Sequence, residues 1–391
     1  MPTYKLKDLV QEVISGEWGQ EVSDTNTGVK VIRTTNFTNV GKLDFNKEIV
    51  ERAIDSKKIE KKKLLVGDTI IEKSGGSIEQ PVGRVVFFEE EGLYLCNNFT
   101  SILRPNQELV VPKYFMYLMF YLYRSKRVLK FQNKTTGIIN LKLDQYLKQI
   151  DVSIPSKEIQ MKIVKALDQV YEIINKRQSQ IASLDALTQS IFIEMFSEVE
   201  EKVKIGDIAE IQTGSTPSRK NDLFWKNGSI PWIKTAEVKM NYIEESEEFI
   251  TETALEKTSV SLLPINTVLV AMYGQGVTRG RVGLLKTEAT TNQACAAILP
   301  NEKFIPEFLF KQLIINYEKL RNLGRGGNQP NLNLSLVKSF EVILPPLTKQ
   351  AEFNIVSQNI ELKKKQLKLS LQYFTELYES LLQKAFKGEL F

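Results

Sequence analysis

The chain contains no histidine in 391 residues, which removes the commonest general base, proton shuttle and metal ligand together. It has only two cysteines, Cys96 and Cys295, one in each half, too few for a disulfide framework or a four-ligand zinc site. A reducing cytoplasm is the expected compartment. No loop has the G-x-x-x-x-G-K-[ST] form, and residues 274–283 lack G-x-G-x-x-G spacing, so nucleotide binding has no motif. There is no N-P-P-[YF] tetrapeptide to grip a flipped adenine and no Pro-Asp pair to open a nuclease carboxylate cluster. The opening MPTYKLKDLVQEV lacks an apolar signal core, and the longest aromatic-aliphatic run, residues 114–123, is about half a membrane span. No membrane partner is expected. These absences describe a chain that binds rather than reacts, with no catalytic, cofactor-binding or metal-ligating residue expected.

What is present is a repetition. The text NLKLDQYLKQIDVSIPSKEIQMKIV, followed by IASLDALTQSIFIEMF, runs parallel to NLNLSLVKSFEVILPPLTKQAEFNIV and LKLSLQYFTELYESLLQKAF. Phe353 stands 190 residues beyond Ile163, and Phe386 stands 190 beyond Phe196. A period this long duplicates a whole unit, since solenoid repeats run to roughly 20 to 50 residues. The length alone allows two or three domains, and the repeat selects two. With 52 basic against 47 acidic residues, the net charge of +5 is compatible with nucleic acid but weak alone.

Two long amphipathic helices are predicted. Ile163, Leu167, Val170, Ile174, Ile181, Leu184, Ile191 and Met195 recur at steps of four and three, with Arg177 and Thr188 filling the gaps. Phe353, Ser357, Ile360, Lys364, Leu367, Leu371, Phe374, Tyr378, Leu381 and Ala385 make the equivalent line. A seam of 3.5-residue period demands a partner helix along its length, and the chain supplies its own. Pro155 and the pair Pro345 and Pro346 mark the starts, Gly206 and Gly388 the ends. Each helix is then about 40 residues, roughly 60 Å, enough to hold two domains apart. The polar seam residues are expected to pin register or to receive other chains. Phe192, Phe196, Tyr373 and Phe386 are read as apolar groups beyond the intramolecular seam, available to a partner.

Each head reads as a mixed α+β domain. VKVIRTTNFTN matches IPWIKTAEVKM, KLLVGDTIIEKSGGS matches SLLPINTVLVAMYGQG, and PVGRVVFF matches TRGRVGLL. β-Branched runs broken by Gly, Asn and Asp give short strands and tight turns. A helix closes each head, near residues 112–130 and 306–321. In the second head, glycine-rich loops carry Tyr273, Gln275, Thr278, Arg279 and Arg281, then Arg325, Asn328 and Gln329. The first head carries Lys73, Ser74, Gln80 and Arg84, then Lys134, Thr135 and Thr136, at corresponding points. Arg suits guanine, Asn and Gln suit adenine, and Lys, Ser and Thr suit phosphates. Each side chain taken singly also fits a solvated turn. Arg124, Lys126, Arg127, Lys130 and Lys134 form a basic run suited to phosphate contact, whereas the run at residues 57–63 is interrupted by Glu60.

In the phrases GSTPSRKND, IPWIKTAEV, VLVAMYGQGVTRGRVGLL, TNQACAAILP, GGNQPNLNLSLVKSFEVILPPLTKQAE and LLQKAFKGEL the chain closely resembles the specificity subunits of bacterial type I restriction-modification systems. The likeness spans the whole chain and is stronger in the second half; the first half has TTGIINL where the second has GGNQPNL. Thr216, Arg219, Lys220 and Lys234, inside these phrases, join the DNA-contact candidates. The resemblance implies an α+β chain of two similar target-recognition domains, 1–154 and 201–345, separated by spacer helices, 155–200 and 346–391, that form an antiparallel coiled coil. It implies double-stranded DNA as ligand, each domain reading one half of a split, asymmetric site. It also implies two modification subunits that methylate adenine with S-adenosylmethionine, and restriction subunits that use ATP and Mg to translocate and cut. Two rival readings are a stand-alone methyltransferase or nuclease, and a scaffold whose heads bind proteins.

Overall fold

In a computed structural model, residues 1–23, 28–77, 79–135, 138–274, 276–324 and 331–390 are described, with Lys134 and Thr135 described by backbone alone. The chain divides into two compact units, Met1–Gln178 with Leu369–Phe391, and Ser179–Lys368.

The first unit is built around a four-stranded antiparallel sheet in the order Val10–Ser15, Thr100–Pro105, Thr69–Glu72, Val85–Phe87. All four residues of the central strand Thr69–Glu72 are buried, because both faces of the sheet are covered. The strand period of two sorts side chains between those faces. Ile71, Val85 and Leu103 join the core under helix Pro112–Arg124, whereas Ile70, Val86 and Ile102 join a second core with Ile32, Phe37 and Cys96. Beyond that second core lies a three-stranded sheet, Val50–Arg52, Val29–Ile32 and Tyr94–Cys96. A short pairing of Thr3–Lys5 with Asp151–Ser153 closes the head.

The second unit repeats this plan. Its larger sheet runs Ile211–Thr213, Cys295–Ile298, Val268–Ala271, Val282–Leu285, Asn241–Ile243, and its smaller one Phe249–Ile250, Ile230–Ile233, Thr290–Thr291. Val268 and Val270 face a core shared with helix Pro306–Ile315, while Leu269 and Ala271 face the opposite one. Lys202–Lys204 pairs with Glu341–Ile343, as Thr3–Lys5 does with Asp151–Ser153. The expectation of two similar mixed heads is met, with a fifth strand, Asn241–Ile243, added at the edge of the second head's larger sheet.

The long helices run Lys157–Phe196 and Leu347–Lys387. They pair antiparallel within each unit. In the first, Tyr171 meets Tyr378 with ring centroids 6.2 Å apart, and Arg177 Nε donates to Ser370 Oγ at 3.2 Å. In the second, Lys364 Nζ donates to Asp185 at 2.5 Å, and Phe192 meets Phe353 at 5.4 Å. The predicted seam is the buried one: Ile163, Leu167, Val170 and Ile174 on one helix, Phe353, Ile360, Leu367 and Tyr378 on the other. Of its polar members, Arg177 and Lys364 bond across the pair, Thr188 Oγ1 turns back to Leu184 O at 3.0 Å, and Ser357 Oγ has no partner among the described residues.

One buried glutamine ties each head to a long helix. Gln160 Oε1 accepts the Val111 N–H at 2.7 Å, and its Nε2 donates to Leu109 O at 3.2 Å and Pro155 O at 2.9 Å. Gln350, 190 residues on, accepts the Ile305 N–H at 2.8 Å and donates to Pro345 O at 2.8 Å. Val111 and Ile305 cap helices that open on Pro112 and Pro306 and have no side-chain cap of their own. Each glutamine satisfies main-chain groups that burial would otherwise orphan.

The expectation that Phe192, Phe196 and Phe386 lie outside the intramolecular packing is corrected. Phe192 and Phe196 are buried with Phe308 and Phe353 in a four-ring cluster, with edge-to-face contacts at 5.3 to 6.0 Å among them. Phe386 packs on Tyr114 at 5.2 Å and stacks on Tyr121 at 5.4 Å. Their apolar area goes to fixing helix Pro306–Ile315 and helix Pro112–Arg124 against the long helices. Tyr373 alone of the four is open, at 62% exposure. Among the described residues no helix is long and apolar enough to cross a membrane.

Candidate nucleic-acid interface

In the first head the candidates separate into groups. Gln80, Arg84 and Arg124 line one depression of about 380 Å³ with Thr38, Asn39 and Tyr123. Gln80 Nε2 donates to Asn39 Oδ1 at 3.0 Å. Arg84 is held by a bidentate pair, its Nε and a terminal nitrogen donating to Glu72 at 2.9 and 3.1 Å, and it also reaches Thr34 O at 3.3 Å. Glu72 is 2% exposed, so this fork belongs to the protein interior. Arg124 donates to Glu379 at 2.6 Å. Arg127 borders a different depression, with Leu118, Asp151 and Phe386.

Lys73 follows strand Thr69–Glu72 and bonds Ser15 Oγ; burial lowers its ammonium from the usual lysine range. Ser74 Oγ bonds Asn140 Oδ1 at 2.6 Å, where Ser74–Gly75 joins the hairpin Gln132–Thr135 and Ile138–Leu141. Lys134 and Thr135 sit at the tip of that hairpin, opposite Ile139 and Ile138. Thr136 lies outside the described residues.

In the second head the loops at the strand ends draw together. Thr216 Oγ1 donates to Gln293 at 2.6 Å, Thr235 Oγ1 to the adjacent Asn292 at 2.9 Å, and Met272 N–H to Ala294 O at 2.8 Å. The segment at 292–294 therefore joins the loops carrying Thr216, Lys234 and Tyr273. Arg219 stacks on Trp225 and Trp232, 3.7 and 4.7 Å from the ring centroids, and bonds Glu248. Lys234 bonds Glu247 at 2.8 Å and Glu248 at 3.0 Å, which raises its ammonium from the usual range. Two cations on Glu248 fix both in place, while Lys220 and Tyr273 stay exposed.

The remaining candidates sit on a clamped turn. Tyr317 Oη donates to Val277 O at 2.5 Å, and Arg321 donates to Tyr317 Oη at 2.7 Å and Gly276 O at 2.6 Å. Thr278 packs on Gly274, where a Cβ would come within 2.6 Å of its own. Arg281 is half-buried, and Arg279 is buried at 8% exposure. Gln275, Arg325, Asn328 and Gln329 lie outside the described residues. Sequence reasoning missed Tyr317 and Arg321 as well as Trp225 and Trp232. The only local signal was an aromatic or basic residue beside each candidate loop.

Neither cysteine offers chemistry: burial pushes the Cys96 thiol up to about 11 and raises that of Cys295. No group of three or more Cys, Asp or Glu among the described residues is placed to hold a metal ion. Two repeated heads with cationic loops, fixed to paired helices by buried glutamines, define a duplicated recognition protein.

A family model described as the type I restriction modification DNA specificity domain matches residues 1–183 and again residues 197–372. The chain belongs to this family, the specificity subunits of type I restriction-modification systems. It is 28% identical over 156 residues to the EcoR124I/EcoR124II specificity subunit of Escherichia coli, covering 39% of this chain and 38% of that one. It is 33% identical over 187 residues to the MjaIX specificity subunit of Methanocaldococcus jannaschii, covering 45% and 42%. The aligned part thus spans less than half the length of either relative. The putative MjaX specificity subunit of the same organism is 22% identical over 394 residues, covering 93% and 88%. The fold matches the S subunit of a type I system from M. genitalium with a TM-score of 0.59 at 14% identity, over 98% of this chain and 96% of that one.

Proposed function

We propose that this chain is the DNA-reading subunit of a type I complex and is itself non-catalytic. The head within 1–154 reads one half of a bipartite, asymmetric double-stranded site, and the head within 201–345 reads the other. Two modification subunits carrying S-adenosylmethionine then methylate adenine, and restriction subunits using ATP and Mg cut unmodified DNA. The spacer helices, 155–200 and 346–391, carry the contacts to the modification subunits, with the exposed Tyr373 among them. The observation that supports this best is the repetition itself: two heads of one fold, with loops of different side chains, suit two related but unequal half-sites.

The test is expression with the cognate modification subunit in a host without other adenine methyltransferases, followed by methylome sequencing. A single split motif, with each half changed only by variants in one head, is the expected result. Methylation by the purified chain alone, or a methylation pattern without sequence preference, would overturn the proposal.

A further inference from the structure

The two heads diverge most sharply at one turn. In the first head the Glu72 N–H donates to Arg84 O at 2.8 Å, one residue beyond the pair of Ile71 with Val85. In the second the Ala271 N–H donates to Arg281 O at 2.8 Å, one residue beyond the pair of Val270 with Val282. Register therefore equates Glu72 with Ala271 and Arg84 with Arg281. The glycine before each arginine has positive φ, +108° at Gly83 and +82° at Gly280, so the backbone turns alike.

The side chains on that common backbone are chemically opposed. In the first head Val82 is wholly buried and Arg84 is neutralised by Glu72, so these two positions present no unpaired cation. In the second, Arg279 stands where Val82 does and Ala271 where Glu72 does. The carboxylate is gone and a second guanidinium has been added. Arg279 is more than nine-tenths buried, its Nε is fully enclosed without a partner, and neither Arg279 nor Arg281 joins an ion pair among the described residues. The residues of this unit outside the described set, 275 and 325–330, include no Asp or Glu. A buried guanidinium without a carboxylate is strongly disfavoured unless acceptors arrive from elsewhere. The turn is also held ready for them by Tyr317 and Arg321, and a Cβ on Gly280 would lie 3.2 Å from the Arg321 backbone.

We propose that Arg279 reads a guanine in the half-site of the second head, and that the equivalent turn of the first head does not read DNA by charge. This rests on the DNA-reading function above. Guanine offers O6 and N7 as paired acceptors that match a guanidinium fork. A phosphate offers acceptors of the same kind but carries no sequence information, and the two are separated by the measurements below.

The experiment uses the complex reconstituted with its modification subunit. Arg279→Ala, Arg279→Lys and Ala271→Glu are compared with wild type by methylome sequencing, and by binding to cognate duplexes over a range of salt. Each guanine of the second half-site is replaced in turn by 7-deazaguanine, which lacks the N7 acceptor. Arg279→Ala should relax one G·C position and weaken binding roughly 5- to 150-fold, leaving the first half-site unchanged. Deaza substitution at that position should weaken wild type and leave the Arg279→Ala complex unaffected. Arg279→Lys should recover affinity only in part, and Ala271→Glu, which restores the carboxylate of the first head, should weaken the second half-site alone.

Loss that is uniform across sequences, with a salt slope smaller by about one, would assign Arg279 to a phosphate and overturn the proposal. So would an unchanged motif. If Arg279→Ala does not fold, the deaza series on wild type decides alone, and insensitivity at every guanine overturns the proposal. A wild-type complex without sequence preference would sink the DNA-reading function itself, a result distinct from each of these.

Discussion

Replacing Gln160 by alanine should destabilise the first unit by about 3 to 5 kcal/mol. The figure follows from the bonds removed: one from the Val111 N–H at 2.7 Å and two to the carbonyls of Leu109 and Pro155 at 3.2 and 2.9 Å. The residue has 0% exposure, so water does not replace those bonds freely. Each buried group left without a partner costs about 1 to 3 kcal/mol, and partial relaxation keeps the total below the sum of the upper limits. Gln160→Met separates the two contributions, since it fills the volume and cannot bond. It should recover the cavity part and keep most of the loss. Gln178→Ala, an exposed change on the same helix, is the control and should cost less than about 0.5 kcal/mol. The assay is urea unfolding followed by far-ultraviolet circular dichroism, with midpoints compared at constant slope. If Gln160→Ala costs no more than Gln178→Ala, the glutamine does not hold the head helix to the long helix, and the same reasoning fails for Gln350.

Phe196→Ala opens the four-ring cluster and should cost about 3 to 5 kcal/mol, read by thermal or urea unfolding; a loss under about 1 kcal/mol would mean that the cluster collapses around the gap. Burial alone would raise the Glu361 carboxyl, but its bonds to Lys311 at 2.6 Å and Lys364 at 3.2 Å outweigh that and hold it below the usual carboxylate range. Its folded pKa is thus the lower one, so its contribution is present above the unfolded value of about 4.3 and is lost as pH falls through the folded value. Glu361→Gln should cost about 3 kcal/mol at pH 7 by stranding buried Lys311, and should flatten the acid limb of stability against pH; an unchanged limb refutes the assignment. Tyr373→Asp should abolish co-purification with the modification subunit at unchanged melting temperature, and retained assembly would place that contact elsewhere.

The parts legible in the sequence were those set by periodicity. The four-three spacing of Ile163, Leu167, Val170 and Ile174 named buried residues because a helix has one inward stripe whatever it packs on. The short strands followed from β-branched runs between turn residues, and the repeat supplied each head with a second reading of the same text. What escaped depends on contacts between distant segments. Nothing local to Phe192 or Phe196 tells that Phe308 and Phe353 lie against them. Arg84 reads as a free loop cation until the strand register brings Glu72 beside it, and Arg219 gains its place only when Trp225 and Trp232 stack under it. Gln160 and Gln350, polar residues at the head of an apolar seam, gain their place only when the orphan N–H groups of Val111 and Ile305 are found beside them.

Comparing the two heads separates what the scaffold requires from what reading requires. Positions that hold geometry carry the same chemistry twice: Gln160 and Gln350 at the helix entries, Pro112 and Pro306 as first helical residues, Gly83 and Gly280 at the turn. A Cβ at Gly16 or at Gly214 would stand 2.0 Å from the carbonyl oxygen of Asn97 or Thr291, so both positions exclude any larger residue. At the turn borne by this shared frame, one copy keeps an internal ion pair and the other holds a buried guanidinium with no carboxylate. If both arginine arrangements served only stability, the second would be the worse solution to a problem that the first already solves with Glu72. The difference is accounted for when the partner of the second turn is outside the chain. One fold then presents two chemically unequal surfaces.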